Sequence, residues 1–295
     1  MVSRFSEPAS RAAAQSAPGL AVPRQWLVAS TELVSRLTQP ELPELLVRAA
    51  GLLVEFEYGV VFVYRGKARP VCIYDSIPVP LSRAGLGNYT QSTYVLNPFY
   101  AAYCAGLKSG VYRMRELAPD GFFEPAGIMT SQAQPTSAEE LGYLTDGWPA
   151  GREELCIALV LPDGECAEIS LSQESARGGF PPDALERLAP VVPFLEAVFR
   201  QHWRIARQVH TTRTPDTATD DVFQAFGGKV LSPRERQLAQ LLLRGHSTVS
   251  VALQLAISPT TVKTHRKNLY AKLGIATQYE LFSKFLEALK YRRHD

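Results

Sequence analysis

Between Ser232 and the C-terminus the chain starts and stops four helices in quick succession, a rhythm that few folds accept. Ser232-Pro233-Arg234-Glu235 has the form of a capping box. The serine oxygen accepts from the third helical N–H, proline suits the first helical position, and the glutamate bonds back to the cap. Leu238, Leu241 and Leu242 line the inner face of the helix it opens, and Gly245 ends it. Ser247 opens a short helix with Val251, Ala252 and Leu255, and Ser258-Pro259 opens a third with Val262, Leu269 and Leu273, closed by Gly274. Thr277 and Glu280 repeat the capping spacing before a fourth helix bearing Leu281, Phe285 and Leu289. Only Ala256-Ile257 joins the second helix to the third, so the two form a helix-turn-helix, with the small Ala252 allowing a close crossing.

With Val262, Leu269 and Leu273 inward, the third helix presents Thr260, Lys263, Thr264, Lys267 and Ala271 outward. Lysine can donate to guanine edges or phosphates, threonine can meet a base edge or a thymine methyl, and alanine avoids a clash in the major groove. Charge agrees with this chemistry. From Val230 onward eleven Lys and Arg face four acids, a net +7, whereas the preceding residues sum to −5. A basic unit on an acidic body suits contact with a polyanion.

The segment LSPRERQLAQLLLRGHSTVSVALQLAISPTTVKTHRKNLYAKLGIATQYEL resembles the DNA-binding domain of LuxR-type bacterial transcriptional regulators, over about 60 residues. The resemblance implies that Lys263, Thr264 and Lys267, with Thr260 beside them, contact bases. It gives His265 and its polar neighbours Thr261 and Arg266 to phosphates and the helix interface. It further implies that the last helix (Tyr279, Leu281, Phe282, Phe285 and Leu289) makes a dimer contact, that the partner is double-stranded DNA with a pseudo-palindromic site, and that RNA polymerase is a further candidate partner. One departure stands out: Val249-Ser250-Val251-Ala252 replaces the usual lysine-glutamate-isoleucine-alanine, removing a phosphate contact and an exposed ion pair. Sigma factors share the helix-turn-helix, but they need a basic, aromatic promoter-melting region upstream, and residues 1–229 are acidic.

The remaining chain reads as a tail (1–23), a sensor domain (24–210), a polar linker (211–229) and the helix-turn-helix domain (230–295). Helical spacing marks Trp26–Leu37 and Leu42–Val54, and a further helix is expected over about Gln91–Leu107. Hairpins are expected at Gly59–Tyr64 with Pro70–Tyr74, and at Leu155–Leu161 with Cys166–Leu171 around Pro162-Asp163-Gly164. Over 181–209, Leu185, Leu188, Val192, Leu195, Phe199, His202, Ala206 and Val209 form a heptad seam. Such a seam pairs with its copy in a dimer or packs on its own sheet, and Pro190 and Pro193 argue against one straight rod.

This order, with GGFPPDALERLAPVVPFLEAVF, resembles a GAF- or PAS-like sensor: an α+β domain with an antiparallel sheet flanked by helices, joined to an all-α helix-turn-helix domain of four helices. Eight aromatics crowd Tyr89–Phe123, where the chain average of 9% would place about three. Tyr89, Tyr94, Asn97, Tyr100, Tyr103, Tyr112 and Trp148 are therefore the candidate lining of an effector pocket, with Arg113 beside them. Tyr89, Tyr94 and Asn97-Pro98 partly match acyl-homoserine-lactone receptors, but the tryptophan is missing and asparagine stands for aspartate. A phosphoacceptor receiver is excluded by the missing acidic pair and lysine around Asp75. Control by a protein partner or by abundance alone is the alternative to an effector.

The four cysteines form no CxxC pair, so neither a metal nor another cofactor is expected. No hydrolase, phosphate-loop or Rossmann signature accompanies them, so no catalytic residue is expected. No apolar run approaches the roughly 18 residues of a membrane span, and the expected location is the cytoplasm.

Overall fold

A computed structural model describes residues 22–78, 86–87, 89–91, 93–120, 152–210 and 218–291. Two helices, α1 (Arg24–Ser35) and α2 (Leu42–Ala50), lead into the hairpin β1 (Tyr58–Arg65) and β2 (Ala68–Asp75). A 3₁₀ turn (Thr93–Leu96) and α3 (Pro98–Cys104) precede β3 (Gly110–Arg113), and β4 (Arg152–Val160) and β5 (Glu165–Glu174) form the second hairpin. The sheet is antiparallel with strand order β2-β1-β5-β4-β3, so the two hairpins meet along β1 and β5. Gly164 supplies the left-handed turn of the second hairpin at φ 75°.

Strand alternation divides the core in two. Val61, Val63, Leu155, Ile157, Leu159, Ala167, Ile169 and Leu171 face α1, α2 and the closing helix α4 (Val192–His210). Phe62, Tyr64, Cys156, Ala158 and Cys166 face Tyr89, Tyr94, Phe99, Tyr100 and Met114. The expected helix over Gln91–Leu107 is broken, because the residue before Pro98 is driven out of the helical region. Asn97 is extended at ψ 130° and caps α3 instead, its Oδ1 accepting from Phe99 N at 2.7 Å. The prolines of the long helical pattern also act locally: Ala184–Leu188 is helical, Ala189–Val191 tightens to 3₁₀, and α4 then runs on. Leu188, Val192, Leu195 and Phe199 are buried in the core between the sheet and α1 and α2, and the buried His202 places its Nδ1 3.0 Å from Leu37 O, so the seam serves intramolecular packing.

After residues 211–217, which lie outside the described residues with the tail 1–21, the stretch expected as linker carries a helix, α5 (Ala218–Ala225). Its Phe223 is fully buried and meets Phe285 edge-on at 5.5 Å, while Arg244 lies over the Phe223 ring at 4.7 Å. The polar composition of 211–221 hid this apolar anchor just beyond it. Four helices follow: α6 (Pro233–Leu243), α7 (Thr248–Gln254), α8 (Pro259–Leu273) and α9 (Gln278–Tyr291). No helix among the described residues is long and apolar enough to cross a membrane.

Candidate functional site

Every cap proposed for the last four helices is formed. Glu235 Oε2 accepts from Ser232 N at 2.8 Å while Ser232 Oγ accepts from Glu235 N, which completes the box on α6. Ser247 Oγ accepts from Ser250 N and Ser258 Oγ from Thr261 N, and Glu280 Oε2 accepts from Thr277 N at 3.0 Å. Gly274 at φ 64° ends α8, its N–H reaching Ala271 O, as a left-handed cap requires. These stops fix the rotational phase of α8.

Val262 and Leu269 are buried, whereas Thr260, Lys263, Thr264, Lys267 and Ala271 are exposed on the opposite side. Thr261, His265 and Arg266 are half-buried at the flank. Thr261 is partly spent on capping, its Oγ1 lying 2.8 Å from Ser258 Oγ. The structure therefore gathers two lysines and two threonines in one row on a rigid helix.

One tie was not visible in the sequence. Lys272 Nζ reaches Glu235 Oε2 at 2.7 Å, so the end of α8 is pinned to the start of α6. Glu235 is only 4% exposed, and the Lys272 ammonium with the cap hydrogen bonds pulls its carboxyl down to about 2. In α7, Val249 is 59% exposed and Ser250 Oγ bonds His246 Nδ1 at 2.7 Å, while Val251 and Ala252 point inward. The departure from the family pattern thus falls on the outer side of α7, and the inner side keeps its packing.

Three residues of the expected dimer contact lie inside the chain. Leu281 (0%), Phe282 (4%) and Phe285 (0%) are buried inside the chain, with Phe285 packed on Phe223 and Phe226, so this face of α9 is already occupied. The side chains of Tyr279 and Leu289 lie outside the described residues.

The pocket residues separate into two groups. Tyr89, Tyr94, Asn97 and Tyr100 converge in the buried layer between the sheet and α3. There Asn97 Nδ2 donates to Tyr89 Oη (3.0 Å), Tyr89 Oη shares a short bond with Tyr64 Oη (2.5 Å), and Tyr64 Oη donates to Glu168 Oε2 (2.6 Å). Read in that order, each hydroxyl accepts once and donates once, and the series ends on a carboxylate. Burial, then the charge of Glu154, lifts the Glu168 carboxyl above the ordinary range, and burial lifts that of Glu154.

Tyr103 and Tyr112 do otherwise. Tyr103 Oη accepts from Gly66 N and donates to Gly164 O, tying two hairpin turns together, and Tyr112 Oη donates to Lys108 O. Arg113 pairs with Glu153 and donates to Pro181 O, anchoring the segment before α4. Trp148 lies outside the described residues. Sequence reading missed Tyr64, Glu154 and Glu168. The only signal was a pair of acids alternating with apolar residues in strands that are otherwise hydrophobic.

Comparison with known proteins adds independent lines. Residues 229–285 match the family described as bacterial regulatory proteins, luxR family. A chain of Aeromonas salmonicida assigned as an HTH-type transcriptional regulator in the exeN 3′ region is 32% identical over 200 residues, covering 65% of this chain and 94% of that relative. The transcriptional regulatory protein UhpA of Salmonella typhimurium is 40% identical over 74 residues, 25% of this chain and 37% of that relative. Among solved structures, the VqsR LBD domain from Pseudomonas aeruginosa covers 62% of this chain and 98% of its own at 15% identity and a TM-score of 0.45.

Proposed function

This chain belongs to the HTH-type bacterial transcriptional regulators of the LuxR family, and from that premise we propose that it reads a pseudo-palindromic DNA site as a dimer, under the control of a small-molecule effector held in its N-terminal domain. The observation that carries the DNA reading is the exposed row Thr260, Lys263, Thr264 and Lys267 on α8, opposite the buried Val262 and Leu269. In this reading α8 enters the major groove, Lys263, Thr264 and Lys267 meet base edges, and His265 with Arg266 steadies the phosphates. The half-sites of a dimer lie about one helical turn apart, or a multiple of it. With the apolar face of α9 committed within the chain, the dimer uses other surfaces.

The N-terminal domain acts as a sensor of the general GAF or PAS kind. Support comes from the layer where Asn97, Tyr89 and Tyr64 lead to Glu168 beneath α3, with Tyr94 and Tyr100 alongside. Aromatic rings with polar tips suit an effector that is apolar in body and polar at one end. Regulation requires only that the effector bind one arrangement of the molecule better than another.

A thermal-unfolding screen of the full-length chain against bacterial metabolites tests the sensor. A true effector at about 100 times its dissociation constant adds roughly 2.7 kcal/mol, an upward shift of several degrees. A folded chain that responds to no compound would favour control by a protein partner or by abundance.

A further inference from the structure

We propose that Glu154, Cys156 and Glu168 form a buried site for one divalent transition-metal ion of the borderline kind that zinc represents. Alternation places Glu154 and Cys156 on the same face of β4, and register sets Cys156 opposite Ser170 and Ala158 opposite Glu168. A carboxylate oxygen of Glu154, the Cys156 sulfur and a carboxylate oxygen of Glu168 all lie within 4.8 Å of one another. Metal–ligand bonds of about 2.0–2.3 Å bring such a trio around one ion with small side-chain movements.

The second observation concerns what each carboxylate is already doing. Glu168 is 1% exposed; its Oε2 accepts from Tyr64 Oη at 2.6 Å, whereas its Oε1 is buried with no donor from outside the trio, and the Cys156 thiol is the group hydrogen-bonded to this carboxyl from within it. Glu154 Oε1 accepts from Ser170 Oγ. Each acid is thus held on one oxygen by a hydroxyl from outside the trio. Outer hydrogen bonds orient metal ligands in the same way.

The donor set narrows the ion. Magnesium and calcium prefer oxygen alone, whereas a thiolate beside two carboxylates suits zinc and its borderline neighbours. Three protein donors leave a further position for water or for an atom of a bound molecule. The site shares Glu168 and Tyr64 with the proposed effector layer, but the inference does not need an effector, since it concerns an ion that the screen above does not supply.

The experiment uses the full-length chain, stripped with a chelator, dialysed against zinc and then against metal-free buffer. About one zinc ion per chain is expected to remain, with a raised unfolding temperature. Cys156→Ser and Glu168→Gln should each lose the ion, whereas Cys72→Ser keeps it. Tyr64→Phe, which removes only the orienting hydroxyl, should weaken affinity by about 10- to 100-fold. Cobalt in place of zinc should give a thiolate-to-metal absorption band that Cys156→Ser abolishes. Unfolding of the stripped variants, matched to stripped wild type, separates loss of the ion from loss of the fold. The proposal is overturned if the wild-type chain retains no zinc, or if Cys156→Ser retains it with the same affinity.

Discussion

Lys263 and Lys267 are exposed on a helix bounded by Ser258 and Gly274, and the burial of Val262 and Leu269 on its inner side turns both lysines outward. Replacing either by alanine should cost about 1–3 kcal/mol of DNA affinity if it reads a base, with preference relaxed at one base pair. Selection from a randomised site compares the variants, and an unchanged affinity and site preference would remove that lysine from the reading surface. Ala256 is the one non-glycine residue with a positive φ (51°) among the described residues, and it sits in the turn between α7 and α8. Left-handed backbone costs a residue with a Cβ about 1–2 kcal/mol. Glycine gives back part of that in unfolded-chain entropy, so Ala256→Gly should leave stability unchanged or raise it by up to about 1 kcal/mol. Chemical denaturation measures the difference, and a clear loss would contradict strain at this turn. These residues were legible because caps and apolar spacing orient a helix locally. Glu168 was not, since burial of a strand residue depends on what covers that face, and here helices from elsewhere in the chain do so.

At the scale of elements, Glu235 joins two jobs: it closes the capping box of α6 and receives Lys272 from α8. Glu235→Ala should therefore destabilise the helix-turn-helix by about 0.3–1.5 kcal/mol through the capping box alone. The pH dependence has a definite sign. The folded carboxyl titrates at about 2, below the roughly 4.3 of an unfolded glutamate, so the unfolded chain binds more protons between the two. The stabilisation is present above the unfolded value and is lost as pH falls through it toward 2. Acid titration of unfolding should show that loss in the wild type and a shallower one in the variant; equal slopes would mean that Glu235 is not the group responsible. Elements were legible where one helix or hairpin carries its own signal, as in both hairpins and α6 to α9. They were misread where the signal belongs to a neighbour. The heptad seam of α4 was plain, but only tertiary structure supplies its partner, and α5 was hidden because Phe223 finds its purpose against Phe285.

For the whole molecule, the question is how the sheet domain and the reading helix communicate. Their contacts among the described residues include two beside the candidate sites. Asp120 Oδ1 accepts from Ser247 N at 3.1 Å, at the very cap that starts α7, and α5 packs against the Thr93–Leu96 turn beside the buried tyrosines. An effector that favoured one arrangement of the tyrosine layer would act on α5 and α7 through these contacts, and the coupling free energy would be felt equally by DNA and effector. Neither contact can be read from a sequence, because each joins residues more than a hundred positions apart or crosses a linker. The central claim is that the outward row of α8 meets DNA. Fluorescence anisotropy of the full-length chain on a selected operator, followed across salt concentrations, tests it most directly, with the Lys263→Ala/Lys267→Ala double variant alongside. The account predicts a steep linear fall of log affinity with log salt as phosphate counterions are released, with weaker binding by the double variant at every salt. A flat salt response, or a double variant that binds as the wild type does, would contradict it.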